Sequence, residues 1–165
     1  LKVRLLLAEC YANTCFAKVV ANILGSKSKL YHTPKMGRDR VLKKAARELG
    51  RVDERDEAIL IVVDYERGPY RKYIDENFEK RGIYENKVHI GVFKKDMRLV
   101  GIIFDPDIEA FLCKVTNKYC DENEKKALKR RGSDRVCEEL QVVLAKVEKV
   151  INNIVNELRQ QCHIE

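Results

Sequence analysis

Two kinds of apolar pattern take turns along the chain: short continuous runs, and apolar positions spaced three and four apart. "KVRLLLA" (2–8) predicts a buried strand. "NTCFAKVVANILG" (13–25) follows with Phe16, Val19, Val20, Ile23 and Leu24 at helical spacing before Gly25. "KLYH" (29–32) predicts a short second strand. "GRDRVLKKAAREL" (37–49) sets Val41, Leu42, Ala45 and Leu49 on one face of a helix that Gly50 closes. "EAILIVVDY" (57–65) is the most apolar strand, of the kind covered on both faces in parallel sheets, so it belongs near the sheet centre.

"PYRKYIDENFEKRG" (69–82) predicts a helix from Pro69 to Gly82. "KVHIGVF" (87–93) and "LVGIIF" (99–104), joined by the polar "KKDMR", predict a hairpin. "DPDIEAFLCKV" (105–115) then starts a helix after its aspartates, and "DENEKKALKRR" (121–131) is a short charged one. A final helix over about 134–162 carries Leu140, Leu144, Val147, Ile151, Ile154 and Leu158 at spacings of four and three. That seam either packs back on the sheet or pairs with its copy in a homodimer.

The alternation implies an α/β fold with a mostly parallel, Rossmann-like sheet and helices on both faces. The division expected is an α/β domain over 1–120 and a helical extension over 121–165. At 165 residues one core is the expectation. No apolar run approaches the roughly 20 residues that cross a bilayer, so a cytoplasmic protein without membrane attachment is expected.

Composition adds a partner class. Lys and Arg number 33 against 26 acids, a formal charge of +7, which fits either a polyanionic partner or a heavily solvated surface. Lys35, Arg38 and Arg40, and Lys94 and Lys95 at the hairpin tip, are the candidate nucleic-acid contacts. Six cysteines show no CxxC pair, which favours buried thiols over a metal site. A disulfide between Cys113 and Cys120 requires a helix break between them, because seven residues of helix separate α-carbons by about 10 Å.

The candidate chemistry lies at strand ends. In parallel α/β sheets ligands bind at the carboxyl ends of the strands. Glu9 ends the first strand, Asp64 and Glu66 the central one, and Asp105, Asp107 and Glu109 follow the last. Converging carboxylates require a shared proton or a cation, and oxygen-only ligands suit Mg²⁺ or Mn²⁺. If strand geometry persists through Tyr65, Asp64 and Glu66 point to the same side and reach one metal together.

A strand ending in glutamate, two βα units and a strand ending in acid-x-acid resemble the Toprim domain of topoisomerases, primases and OLD-family nucleases. "GRDRVLKKAAREL" and "DPDIEAFLC" are similar to pieces of small standalone Toprim-like proteins related to the OLD nuclease domain. The resemblance covers about residues 2–115. It implies Glu9 as the catalytic glutamate that assists proton transfer or contacts a metal, Asp64 and Glu66 as the pair that binds Mg²⁺ or Mn²⁺, and Glu109 as a second-metal ligand or orienting group, in cleavage or transfer of phosphodiesters in DNA or RNA. The sequence departs from the family at Cys10, where glycine is usual, and at Phe111, where tryptophan is usual. Beside the nuclease reading stands a catalytically inactive Toprim-like module that binds nucleic acid or dimerises through the C-terminal helix, with or without a further protein partner.

Overall fold

The computed structural model describes residues 1–25, 29–31, 37–52, 55–117, 120–131 and 137–165. Its elements are β1 (Lys2–Ala8), α1 (Cys10–Ile23), β2 (Lys29–Tyr31), α2 (Arg38–Leu49), β3 (Glu57–Asp64), α3 (Pro69–Asn77), β4 (Phe78–Ile83), β5 (Val88–Phe93), β6 (Leu99–Phe104), α4 (Ile108–Val115), α5 (Glu122–Arg131), α6 (Cys137–Lys146) and α7 (Glu148–Cys162). The six strands form one sheet in the order β2-β1-β3-β6-β5-β4. β2, β1, β3 and β6 run parallel, and β5 and β4 are antiparallel. The sheet is therefore mixed and mostly parallel, with helices on both sides.

Side-chain alternation along β3 divides the core in two. Ala58, Leu60 and Val62 pack with α1, α4, α6 and α7, while Ile59, Ile61, Val63 and Tyr65 pack with α2 and α3. A strand buried on both faces has no polar side, which is why its sequence is an unbroken apolar run. On the α1 side, Phe104 lies 5.0 Å from Phe16 and 5.0 Å from Phe111 between ring centroids, an aromatic trio that seats α1 and α4 on the sheet.

The structure corrects the expected helix over 69–82. α3 ends at Asn77, and "FEKRGI" is an edge strand paired with β5 from Phe78↔Phe93 to Ile83↔Val88. Phe78 is buried against Phe93, with ring centroids 5.3 Å apart. Its lysine and arginine are the charges that keep an edge strand from pairing with another chain.

The final helix is also divided, with Val147 breaking it between α6 and α7. The beginning expected for it, and His32 of the second strand, lie outside the described residues. Of the two arrangements open for its seam, the inward one is observed. Leu140, Leu144, Val147, Ile151, Ile154 and Leu158 are all buried in the core on the α1 side of the sheet.

The reading of the cysteines as thiols is corrected at four positions. Cys15 bonds to Cys137, tying α1 to α6, and Cys113 bonds to Cys120. The second pair meets the geometric requirement because α4 stops at Val115 and the chain turns through Asn117 at φ 53°. No helix among the described residues is long and apolar enough to cross a membrane.

Candidate functional site

β1 leads through α1 to β2 on one side, and β2 leads through α2 back across to β3 on the other. The connections thus diverge between β1 and β3, and the crevice at the carboxyl ends of these two strands is where ligands of open α/β sheets bind. Glu9 and Asp64 stand there. Glu9 caps α1, its own N–H donates to the Val62 carbonyl at 3.0 Å, and its Oε2 accepts the Asp64 N–H at 3.0 Å.

Asp64 is 95 % buried, since its relative exposure is 5 %. Its Oδ1 accepts from Asn13 Nδ2 of α1 at 3.1 Å and from the Ile108 N–H at the start of α4 at 3.0 Å. Asp107 caps α4 by accepting the Ala110 N–H at 2.7 Å, and Glu109 is buried in the first turn. Burial drives the Asp64 carboxyl well above its ordinary range. The neighbouring charge of Glu9, and after it those of Glu109 and Asp107, push the same way, against the hydrogen bond from Asn13. Three carboxylates from two other sequence segments thus act on Asp64 at the crevice.

Two further side chains complete the surroundings of Asp64. Cys10 lies in the left-handed region at φ 50°, and its thiol is pushed up to about 12 by burial and by Asp64, Glu9 and Glu109. It is therefore protonated at neutral pH and not a nucleophile. Asn13 also donates to Cys10 Sγ at 3.5 Å, and its Oδ1 is buried with no hydrogen-bond partner. The signal that could have located Asn13 is its position four residues after Glu9, one helical turn into α1.

Glu66 lies elsewhere. β3 ends at Asp64, and Glu66 has φ 40°, so the strand alternation that would align it with Asp64 is broken. Its Oε2 instead meets Arg38 Nη1 at 3.4 Å. Arg38 is buried on the α2 side, where Nη1 also donates to the carbonyls of Asp64 at 3.1 Å and Tyr65 at 3.3 Å. Arg71 stacks its guanidinium 4.0 Å from the Tyr65 ring centroid and donates to the Glu66 carbonyl at 3.1 Å. The same arginine approaches Asp105 at 3.7 Å, and Asp105 in turn contacts His89 at 3.4 Å. Neither Arg71 nor His89 stood out in the sequence, because each is a single residue within an ordinary amphipathic element.

The predicted basic contacts separate. Arg40 is exposed on α2, and Lys35 lies outside the described residues. Lys94 and Lys95 are exposed at the turn between β5 and β6, where Lys94 donates to the Glu76 carbonyl at 3.0 Å. That turn is at the opposite end of β6 from the acids, about 20 Å away for six residues of strand.

The acid cluster fits a hard cation in the kind of donor it offers, since the groups are all carboxylate oxygens. As placed, no group of three or more acid, histidine or cysteine side chains among the described residues is positioned to hold an ion. Fold and site thus define an α/β protein with a partly buried group of carboxylates at the point where its sheet connections diverge. No protein-family model, curated protein or solved structure matches the chain.

Proposed function

We propose that the chain is a Toprim-like protein that uses Glu9, Asp64 and Glu109 to hold Mg²⁺ or Mn²⁺ for cleavage or transfer of nucleic-acid phosphodiesters. The observation that carries this reading is the setting of Asp64: it is buried at the ligand-binding crevice and feels the charges of Glu9 and Glu109 from two other segments, which as placed do not yet surround an ion. A protein that gathers like charges in a desolvated place needs a proton or a cation there. The family resemblance adds support at one backbone detail. Cys10 adopts φ 50°, a conformation glycine takes without strain, at the position where that family usually has glycine.

A bound cation supplies activation of water and neutralisation of charge on the phosphate. The chain's residues have separable tasks around it. Asn13 and the Ile108 N–H orient Asp64 through Oδ1. Glu9, whose Oε2 accepts the Asp64 N–H, would be the group to help hold the ion or to take the proton of the attacking hydroxyl or water. Glu66 stays with Arg38 and is not a ligand in this scheme.

A second reading is the inactive nucleic-acid-binding module, in which the acids share a proton and no ion binds. What favours it is the divergence of Asp64 and Glu66. Calorimetric titration of Mn²⁺ into the full chain, alongside cleavage of labelled single-stranded DNA, plasmid and RNA, separates the two. Metal binding and cleavage lost in Asp64→Asn and Glu9→Gln support the enzyme. No heat of binding and no cleavage by the wild type leave the module.

A further inference from the structure

Charge on α3 runs against the dipole of the helix. Its first turn holds Arg71 and Lys72 and no acid, while its last turn holds Asp75 and Glu76 and no base. A helix is stabilised by anions at its beginning and cations at its end, so this order favours an outside anion at the N-terminal end. Arg67 is exposed just ahead of the helix, and α2, packed on the same face of the sheet, opens with buried Arg38 and exposed Arg40. Asp39 and Glu66 are the acids among them, and they meet Lys43 at 3.0 Å and Arg38 at 3.4 Å. Lys72 approaches Glu76 at 3.7 Å and keeps 79 % of its side chain exposed. Two aromatic rings stand in this basic setting. Tyr70 and Tyr73 are three residues apart, which makes them neighbours on one face of α3. Tyr70 is half-buried, with the Arg38 guanidinium 5.1 Å from its ring centroid, and Tyr73 is 36 % exposed.

We infer that the α3 face bearing Tyr70 and Tyr73 is a docking surface for a single-stranded nucleic acid, its bases stacking on Tyr73 beside Tyr70 and its phosphates meeting Arg67 and Lys72. Single strands are held by a positive track with aromatic rings set along it, because every base has a π face and every linkage a charge. An acidic protein segment would satisfy the cations but has no base to lay on the exposed ring. The face begins three residues beyond Asp64, where β3 delivers the chain to the crevice, so a strand bound there lies next to the strand ends. That it presents a substrate to a reacting centre rests on the proposed function; its binding of single strands does not.

The test is fluorescence anisotropy of the full chain, in EDTA at low salt, with a labelled thymidine strand of about 12 nucleotides and an abasic strand of the same length. Tyr73→Ala is expected to weaken binding of the thymidine strand about tenfold, the scale of one lost stacking contact, and to leave the abasic strand unchanged. Tyr73→Phe keeps the ring and is expected to bind within about twofold of the wild type. Arg67→Ala is expected to weaken both strands and to lower the slope of log affinity against log salt by about 0.7, the share of one phosphate. Tyr73→Ala binding the thymidine strand as tightly as wild type, an equal loss on both strands, or no binding by the wild type overturns the inference. So does displacement of the strand by polyglutamate as readily as by unlabelled oligonucleotide, which marks an acidic protein segment as the occupant. Because EDTA removes metal from the readout, failure here is distinct from failure of the cation reading, which the Mn²⁺ titration measures. Tyr73 and Arg67 are exposed side chains, so the decisive variants do not depend on replacing a buried group.

Discussion

Asp64 and Glu66 are two residues apart and leave the same strand end, yet they meet opposite surroundings. Asp64 turns to the α1 side, is buried among Glu9, Glu109 and Asp107, and has a carboxyl driven toward protonation. Glu66 turns to the α2 side, remains half exposed, and faces arginine. One side of the sheet edge concentrates negative charge out of water, and the other balances charge within reach of it. The difference shows that position in the strand sets which residues a carboxylate can meet, while burial sets what meeting them does to its proton affinity.

The largest expected perturbation falls on the Asp64 side. Cys15→Ala opens the Cys15–Cys137 bridge, which closes a loop of 122 residues, and is expected to cost about 4 to 5 kcal/mol. Urea denaturation with and without reductant checks this: because reductant also opens Cys113–Cys120, wild type and variant should converge when both are measured in reductant.

Phe111→Ala, at the seat of α4, is expected to cost about 3 to 5 kcal/mol in the same assay through the cavity it leaves. A loss below about 1 kcal/mol would mean that α4 is not seated by the aromatic trio.

Asp64→Asn reads the electrostatics directly. A folded-state pKa raised above 3.8 means the folded chain holds that proton more tightly than the unfolded one, so metal-free stability falls as pH climbs from 3.8 through the folded value. The variant removes this decline, and its melting temperature in EDTA at pH 7 is expected to exceed the wild type's by roughly 2 to 4 °C, the shift produced by ~1 kcal/mol at this chain length. Added Mn²⁺ should raise the wild type and leave the variant where it was. A lower melting temperature for Asp64→Asn across the whole pH range contradicts the repulsion.

Glu66→Gln on the other side should move stability by less than about 1 kcal/mol, because its ion pair is half exposed. Smallest of all is the joint change Lys94→Ala and Lys95→Ala at the far end of the sheet. It should stay within about 0.5 kcal/mol in urea denaturation and leave oligonucleotide affinity unchanged.

Strong periodicity made much of this fold legible. The run at 57–64 reads as a central strand because both faces need apolar cover, and the 88–104 hairpin because two apolar runs flank a polar turn. The 78–83 strand was hidden because "FEKRGI" follows a helix without a break and edge strands carry charge. At the site, Glu9, Asp64 and Glu109 were legible from their places at element ends. Glu66 was misplaced because alternation holds only while the backbone stays extended, and its φ of 40° ends that. Asn13 and Arg38 owe their roles at the site to partners 51 and 26 residues away.

The sequence by itself determined most of the strands and helices, β4 and the break at Val147 excepted, and that acids end the strands, since both follow from local spacing and backbone preference. Tertiary structure alone decided which acids meet, that Cys15 reaches Cys137, and that the Leu140–Leu158 seam faces the sheet. Those outcomes depend on contacts between segments distant in the chain, and only packing around a shared core fixes such distances.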